Sequence, residues 1–211
     1  MTDYIPVSGV VACHTCPRRY YFERSEEHPE SPPRYTVCKQ VSTHLGELLE
    51  PEQIWQEILC VLPPEAAEDV RELFDECIAA CSATAWQRPV QVDLAVESDT
   101  LGIRGGRVDK VFEDGTFAVA RSSAAPKAGV YTTDRLRVAC YIACLNETLG
   151  RPPVAGGYVE YVASGVCRYV EPQPPRDRRE MIKAIRAAKR VVAGELRPPG
   201  PSGLPARLPA P

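Results

Sequence analysis

The sequence predicts an α/β fold in which a mixed central sheet is flanked by helices. The predicted elements run from helices through three consecutive strands to a helix, a hairpin and a last helix. Residues 90–96 alternate between apolar and polar, as in a half-buried strand. Asp114–Gly115 then marks a tight hairpin turn. The 211 residues suit one sizeable domain with its own core.

The first 88 residues are predicted to be mainly helical. Ser8 is a suitable N-cap for a short helix that must end before Pro17. Two further helical stretches are predicted at about 34–50 and 52–61. Pro64 suits the start of a longer helix with acidic residues in its first turn. Its apolar residues recur at helical spacing, at positions 66, 70, 73, 74, 77, 78 and 81.

Residues 89–197 are predicted to form the sheet and its flanking helices. The first strand should bury one apolar face, made of Val90, Val92, Leu94 and Val96. A helix over 133–149 follows the third strand and should pack on the sheet. The side chains expected to face the sheet are Leu136, Val138, Ala139, Ile142 and Leu145. Residues 198–211 are rich in proline and are predicted to be a disordered tail.

Bulk properties exclude several classes of protein. The net charge is −3 and the pI is near 5.7, so no global basic field favours nucleic acid. No run of 18 apolar residues is present, and the N-terminus does not resemble a signal peptide. We therefore expect a cytoplasmic protein without a membrane partner. Nine cysteines, an odd number, argue against a disulfide framework.

Four stretches carry a resemblance to a known family. They are "VSGVVACHTCPRRYYF", "VESDTLGIRGGRVDKVF", "APKAGVYTTDRLRVACYIACLNE" and the closing segment from "YVEYVASGVCRYVE" to "VVAGELRPP". In this order they resemble the CRISPR-associated RecB-like exonucleases, the Cas-four family of the PD-(D/E)xK nuclease superfamily. The resemblance covers most of residues 7–199. It implies one restriction-endonuclease-like domain over 1–197, with metal-dependent DNA cleavage, a four-iron cluster and a role in acquiring CRISPR spacers.

The resemblance transfers only some of the family's catalytic residues. The aspartate of the second motif corresponds to Asp109, and the tyrosine of the following helix corresponds to Tyr141. The glutamine that precedes this tyrosine in the family is replaced by Arg137. His44 lies in the region where the family places a metal-binding histidine, although its glycine follows it instead of preceding it.

The family's Glu-x-Lys motif is missing from the third strand. Two registers are open: the acid and the lysine fall on Val119 and Arg121, or on Ala120 and Ser122. Hydrolysis in this superfamily needs Mg²⁺ or Mn²⁺ held by at least two acidic oxygens, and Asp109 alone supplies one ligand. In the first register Arg121 could supply the positive charge of the lysine, but its high pKa excludes a role as a base.

Three functions therefore stay open. In the first, the chain keeps the fold for binding DNA and its catalysis is lost or weak. In the second, it is an active nuclease in which a relocated acid, with Glu97 the best candidate, completes the metal site around Asp109. In the third, it is a structural subunit that docks on a CRISPR integrase. The sequence indicates no oligomeric state.

An iron–sulfur cluster is not expected. The first cluster cysteine of the family falls on Cys16, but the three C-terminal ligands have no counterpart in the proline-rich tail. A replacement set of four thiolates is chemically reasonable. It would consist of Cys13, Cys16, Cys38 and Cys167.

DNA contact is expected through a local basic patch. Arg18, Arg19 and Tyr20 combine charge with aromatic character, which suits phosphate contact and base stacking. A solvated helix end explains the same run equally well. The remaining candidates for a basic stripe around Asp109 are Lys39, Arg107, Arg135 and Arg137.

Overall fold

A computed structural model describes residues 4–24, 31–149 and 154–196. The helices in these ranges are α1 (Val7–Thr15), α2 (Pro17–Glu23), α3 (Pro33–His44), α4 (Pro51–Leu59), α5 (Pro64–Glu68), α6 (Arg71–Ser82), α7 (Thr132–Leu149) and α8 (Pro174–Val192). The strands are β1 (Gln91–Ser98), β2 (Ile103–Val111), β3 (Phe117–Arg121), β4 (Gly157–Tyr161) and β5 (Val166–Val170). The predicted tail lies outside the described residues.

The five strands form one mixed sheet in the order β1-β2-β3-β4-β5. The β3–β4 pair is parallel, and the other three pairs are antiparallel. Helix α7 makes the crossover that a parallel pair requires. The predicted mixed α/β class, with three consecutive strands followed by a helix and a hairpin, is confirmed.

Two apolar cores cover the two faces of the sheet. Successive β3 residues point to opposite faces, so Val119 enters one core and Ala120 the other. The core around Val119 includes side chains of α1, α7 and α8. The core around Ala120 is made by α3, α4, α5 and α6. The site described below lies where β2 and β3 separate between these layers.

Proline sets the start of five helices. Pro17, Pro33, Pro51, Pro64 and Pro174 each occupy the first helical turn. The fixed φ of proline suits this position, and the missing N–H would have no partner there. The PRRYYF run begins with such a proline and forms helix α2, which we did not predict from the sequence.

Several predicted boundaries are wrong. Helix α1 begins at Val7 and is preceded by Pro6, so Ser8 lies inside the helix and is not its cap. The stretch predicted at 34–50 ends at His44. The long helix predicted from Pro64 is two helices, separated at Asp69–Val70.

Strand β1 also differs from its predicted burial. Val96 is buried, but Val90 and Val92 are 64% and 45% exposed, so the predicted half-buried face is wrong for its first half. β1 is an edge strand, and neither of the two cores contains Val90 or Val92. The apolar face of α7 agrees better, because Leu136, Val138 and Leu145 are buried.

Candidate functional site

Asp109 lies in a gap between strands β2 and β3. Ladder pairs join Val111 to Phe117 and Lys110 to Ala118, and the pairing stops there. The next link is made by a side chain, because the Ala120 N–H donates to Asp109 Oδ2 at 2.7 Å. The carboxylate thus replaces a backbone acceptor at the point where the strands separate. Its side chain is only 11% exposed.

The other oxygen of Asp109 is bound by a lysine from the neighbouring helix layer. Lys39, on α3, donates from its ammonium to Asp109 Oδ1. The same Nζ lies 3.6 Å from Asp93 Oδ1 on β1. Burial lowers the pKa of Lys39, but its ion pair and hydrogen bond with Asp109 outweigh this effect and raise the pKa overall. Lys39 therefore stays charged at neutral pH and holds two carboxylates together.

Asp93 stands opposite Asp109 in the β1–β2 ladder. The flanking pairs are Val92 with Lys110 and Leu94 with Val108, which places Asp93 across from Asp109. Asp93 is the only described non-glycine residue with a positive φ, at 54°. Arg107 lies 2.7 Å from Asp93 Oδ2 and also donates to its carbonyl oxygen at 3.0 Å. The hydrogen bond from Arg107 is the main cause that lowers the pKa of Asp93.

On the other side of the gap, β3 presents no acid. Continuing the register from Lys110 and Ala118 places Val119 across from Asp109, and Val119 is buried. Arg121 follows two residues later on the same face. Of the two registers left open by the sequence, the geometry favours the one in which the acid becomes Val119 and the lysine becomes Arg121.

The residues at this position do not fit a divalent metal ion. Both oxygens of Asp109 already accept hydrogen bonds, from Lys39 and from the Ala120 N–H. Mg²⁺ and Mn²⁺ need several free oxygen ligands. Within the ranges that the structure describes, no three His, Cys, Asp or Glu side chains are grouped to hold a metal.

A second group of charges lies at the end of β3. Arg121 Nε is 2.8 Å from Asp134 Oδ1, although its N–H is not aligned for a hydrogen bond. The Tyr161 hydroxyl donates to Asp134 Oδ2 at 2.9 Å. Burial and then the neighbouring Arg137 lower the pKa of Arg121, while Asp134 opposes the shift. Arg121 thus lies between the Asp134 carboxylate, which it pairs with, and the second guanidinium of Arg137.

Arg137 is the least satisfied charge of the site. Its Nε is buried and has no hydrogen-bond partner among the described residues. Its guanidinium also makes no ion pair with a described carboxylate. A buried donor without a partner costs free energy, more so when the group is charged. An added anion would remove this cost.

Two tyrosines connect the two groups of charges. Burial raises the pKa of Tyr141 on α7 to about 12, and Arg137 and Asp109 both act on its phenol. Burial also raises the pKa of Tyr35 on α3, with Asp109 as the next cause. Both phenols stay protonated at neutral pH. A protonated phenol is not a general base at this pH.

A cavity of about 670 Å³ opens beside the arginines. Its wall includes Arg121 and Arg137 as well as Arg19 of helix α2 and Arg24, which directly follows that helix. Arg19 is neutralised by Glu23 at 2.5 Å, and Arg24 donates to carbonyl groups at the end of α8. Of these four arginines, Arg24 and Arg137 form no ion pair with a described carboxylate, and only Arg137 lies beside a second guanidinium, that of Arg121.

The sequence-predicted metal ligands are not brought together. His44 Nε2 lies 2.7 Å from Glu57 Oε2 on α4, so the imidazole is hydrogen-bonded to Glu57. Glu97 forms an exposed ion pair with Arg104 at 3.0 Å. Glu97 is four residues along β1 from Asp93, which is about 13 Å in an extended strand. The acid that lies across from Asp109 and shares Lys39 with it is Asp93, which sequence reasoning missed.

The predicted DNA-binding residues have mixed environments. Tyr20 is buried against Gly9, so its ring is not open to stack on a base. Arg135 donates to Asp177 and to the Glu171 carbonyl, which makes it a structural link between α7 and α8. Arg18 is exposed and lies 5.6 Å from the Phe22 ring.

Of the four cysteines that could replace the cluster ligands, no three are grouped together in the described residues. Cys13 is buried in the core that includes α1, α7 and α8. Cys38 is buried in the other core, with its sulfur 3.9 Å from Cys77 Sγ. Cys16 and Cys167 are exposed. The absence of a cluster stays a prediction.

Comparison with known proteins supports the fold alone. No family model and no curated protein matches the chain.

Among the helices of the described ranges, none has the length and apolarity needed to cross a membrane.

One solved structure shares the fold over nearly the whole chain. It is the crystal structure of a protein from Eubacterium rectale described as a "putative exonuclease". The two chains are 11% identical with a TM-score of 0.56, over 93% of this chain and 84% of the other. A second crystal structure, that of SSO0001, is 12% identical over 88% and 86% of the two chains, with a TM-score of only 0.36. The chain is a mixed α/β protein, and it shares its fold with the Eubacterium rectale protein.

Proposed function

We propose that this protein binds DNA through its phosphates at the Arg121–Arg137 pair and does not cleave it. The observation that carries the proposal is the partly buried side chain of Arg137, whose buried Nε has no partner among the described residues. It lies beside a second guanidinium in a cavity of about 670 Å³. Arginine binds phosphate through paired N–H donors, and phosphate contacts account for much of the affinity of DNA-binding proteins.

The charge balance of the site favours an anion. Three carboxylates face four side-chain cations, so the site carries one net positive charge. The carboxylates are Asp93, Asp109 and Asp134, and the cations are Lys39, Arg107, Arg121 and Arg137. A phosphodiester group carries one negative charge and supplies an acceptor for the unpartnered Nε–H of Arg137.

The same site is poorly suited to hydrolysis. Val119 supplies no second metal ligand opposite Asp109, and Lys39 already binds the Asp109 carboxylate. Arg121 is too basic to remove a proton from water. Binding without cleavage is therefore the function that these residues favour.

Within this proposal the ligand is DNA and the setting is CRISPR adaptation. Support for this setting comes from the four sequence stretches that resemble the Cas-four family. The nuclease-like fold agrees with it. Co-purification with an integrase encoded by a neighbouring gene tests the setting separately from DNA binding.

DNA binding is tested by fluorescence anisotropy with labelled single- and double-stranded oligonucleotides at several salt concentrations. Arg137→Gln should weaken binding at least about tenfold, because a hydrogen bond to a charged group contributes about 1.5–3 kcal/mol. It should also reduce the salt slope by about one phosphate contact. Arg88→Gln is the matched control, because Arg88 is exposed and paired with Glu47.

Two results would overturn this function. One is wild-type affinity for DNA no better than millimolar near 100 mM salt. The other is equal affinity of wild type, Arg137→Gln and Arg88→Gln. The integrity of each variant is checked by its circular dichroism spectrum and melting temperature.

A further inference from the structure

We infer that Lys39 is the resident cation of this site, and that its ammonium takes the place of a divalent ion between Asp109 and Asp93. The inference concerns the carboxylates of β1 and β2 and is independent of DNA binding at Arg137. It assigns Lys39 as a positioning and charge-neutralising residue. It also implies that the native protein has no divalent-ion site there.

The first support is the position of the ammonium group. Lys39 Nζ bonds to Asp109 Oδ1 and lies 3.6 Å from Asp93 Oδ1. An ammonium carries three donors. Two carboxylates from neighbouring strands therefore converge on one positive charge, in the way that they would converge on a metal ion.

The second support is that helix packing holds Lys39 in place. Val37, Cys38 and Val41 on either side of it are buried in the core of the α3 layer. Ser42, one turn further on, donates to Glu160 on β4 at 2.7 Å. Because α3 is packed on both sides of Lys39, its position places the Lys39 ammonium at the gap between β2 and β3.

The third support is the backbone of Asp93. A positive φ is uncommon for a residue with a side chain, and aspartate tolerates it better than most. Here it occurs inside a strand whose register continues on both sides, at the residue opposite Asp109. Unusual backbone conformations of this kind persist only where the surroundings hold them. The ion pairs of Asp93 with Lys39 and Arg107 stabilise this backbone conformation.

A free divalent ion would compete poorly for this position. It would have to displace an ammonium that is tethered to the chain and present at high effective concentration. It would also approach the positive charges of Arg107 and Arg121. A lysine beside two carboxylates is common on protein surfaces. Here the two carboxylates come from neighbouring strands, and the ammonium occupies the space between them that a metal ion would need.

The test measures Mn²⁺ binding by electron paramagnetic resonance with the full chain, without DNA. Wild type and Lys39→Arg, which keeps the charge, should show no saturable site below about 1 mM. Lys39→Gln should gain a site that binds Mn²⁺ at least tenfold more tightly. The double variant Lys39→Gln/Asp109→Asn should lose it again.

The inference is overturned by either of two outcomes. One is saturable Mn²⁺ binding by wild type that Asp109→Asn abolishes. The other is a folded Lys39→Gln variant that binds Mn²⁺ no better than wild type. If Lys39→Gln does not fold alone, its folding is measured with about 10 mM Mn²⁺ or Ca²⁺. Rescue by the metal supports a vacated cation position, and failure of rescue while Lys39→Arg folds normally overturns it.

Discussion

Lys110 on β2 and Glu160 on β4 form a fully buried ion pair across the intervening strand. Lys110 Nζ lies 2.8 and 2.9 Å from the two carboxylate oxygens, and each side chain is at most 2% exposed. Ala118 and Ala120 on β3 are their ladder neighbours, and these small side chains leave room for the pair. Because Lys110 adjoins Asp109, the pair also fixes the part of β2 that carries the site.

Breaking this pair on one side should be costly. Lys110→Met leaves Glu160 buried without its partner, and we expect a loss of about 3–5 kcal/mol in the free energy of unfolding. The double variant Lys110→Met/Glu160→Leu should be more stable than the single variant, because no charge is left buried. Urea unfolding followed by circular dichroism measures both. A loss from Lys110→Met no larger than that from the exposed Arg88→Met control would contradict the expectation.

Asp109 should contribute to stability more than an exposed acid does. Asp109→Ala removes the acceptor for the Ala120 N–H and leaves Lys39 without its main partner. A loss of about 2–4 kcal/mol is expected from one charged hydrogen bond and one uncompensated amine. Asp109→Asn keeps an oxygen acceptor and should lose less. Equal stability of Asp109→Ala and wild type in urea would show that the carboxylate does not close the gap.

Metal-dependent cleavage of single- or double-stranded DNA should be absent or very weak. Restoration is a stronger form of this prediction: Val119→Glu with Arg121→Lys, added to Lys39→Gln, should bind Mn²⁺ more tightly than Lys39→Gln alone, because it places a further carboxylate across from Asp109 on β3. Isothermal titration calorimetry with Mn²⁺ measures the gain. Robust wild-type cleavage that is lost on Asp109→Ala would instead show an active centre.

The stability contributed by Asp93 should depend on pH on the acid side only. The Arg107 hydrogen bond lowers its pKa from the usual 3.8, so the contribution is present above pH 3.8 and is lost as the pH falls through the lower folded value. Since Asp93 is about half exposed, the contribution should stay below about 1 kcal/mol. The difference in unfolding free energy between wild type and Asp93→Asn should therefore shrink from pH 6 to pH 3. A difference that grows toward low pH would contradict it.

Anaerobically purified protein should be colourless and should contain little iron. Cys16 is the only cysteine at a position where the Cas-four family, which the sequence resembles, has a cluster ligand. Cys13 and Cys38 are buried in different cores. Iron analysis and the absorption near about 400 nm test this expectation. A brown protein with about four irons per chain would contradict it and would identify Cys13, Cys16, Cys38 and Cys167 for substitution.

The fold was predictable from the sequence because its signals are local. The Asp114–Gly115 turn and the flanking β-branched residues were enough to predict the β2–β3 hairpin. The helical periodicity of 133–149 likewise predicted α7 and most of its buried face. Helix ends were predicted less well, since Ser8 lies inside α1 and α3 already ends at His44.

The site was less predictable because its contacts are between distant residues. Lys39 meets Asp109 across seventy positions of sequence, and no local pattern indicates that distance. The sequence placed Lys39 among DNA contacts for its charge alone. Asp93 was overlooked because strict alternation puts it on the solvent side of β1, and its left-handed backbone breaks that rule.

The role of Asp109 in joining β2 to β3 changes what its presence means for the history of the chain. An aspartate whose carboxylate supplies a hydrogen-bond acceptor to the sheet is under selection for folding, whether or not any reaction takes place there. Such a residue would be kept for stability whether or not an acid and a lysine stood beside it. Asp109 by itself is therefore no sign of cleavage, and the identity of the residue across the gap, here Val119, is the better guide to activity.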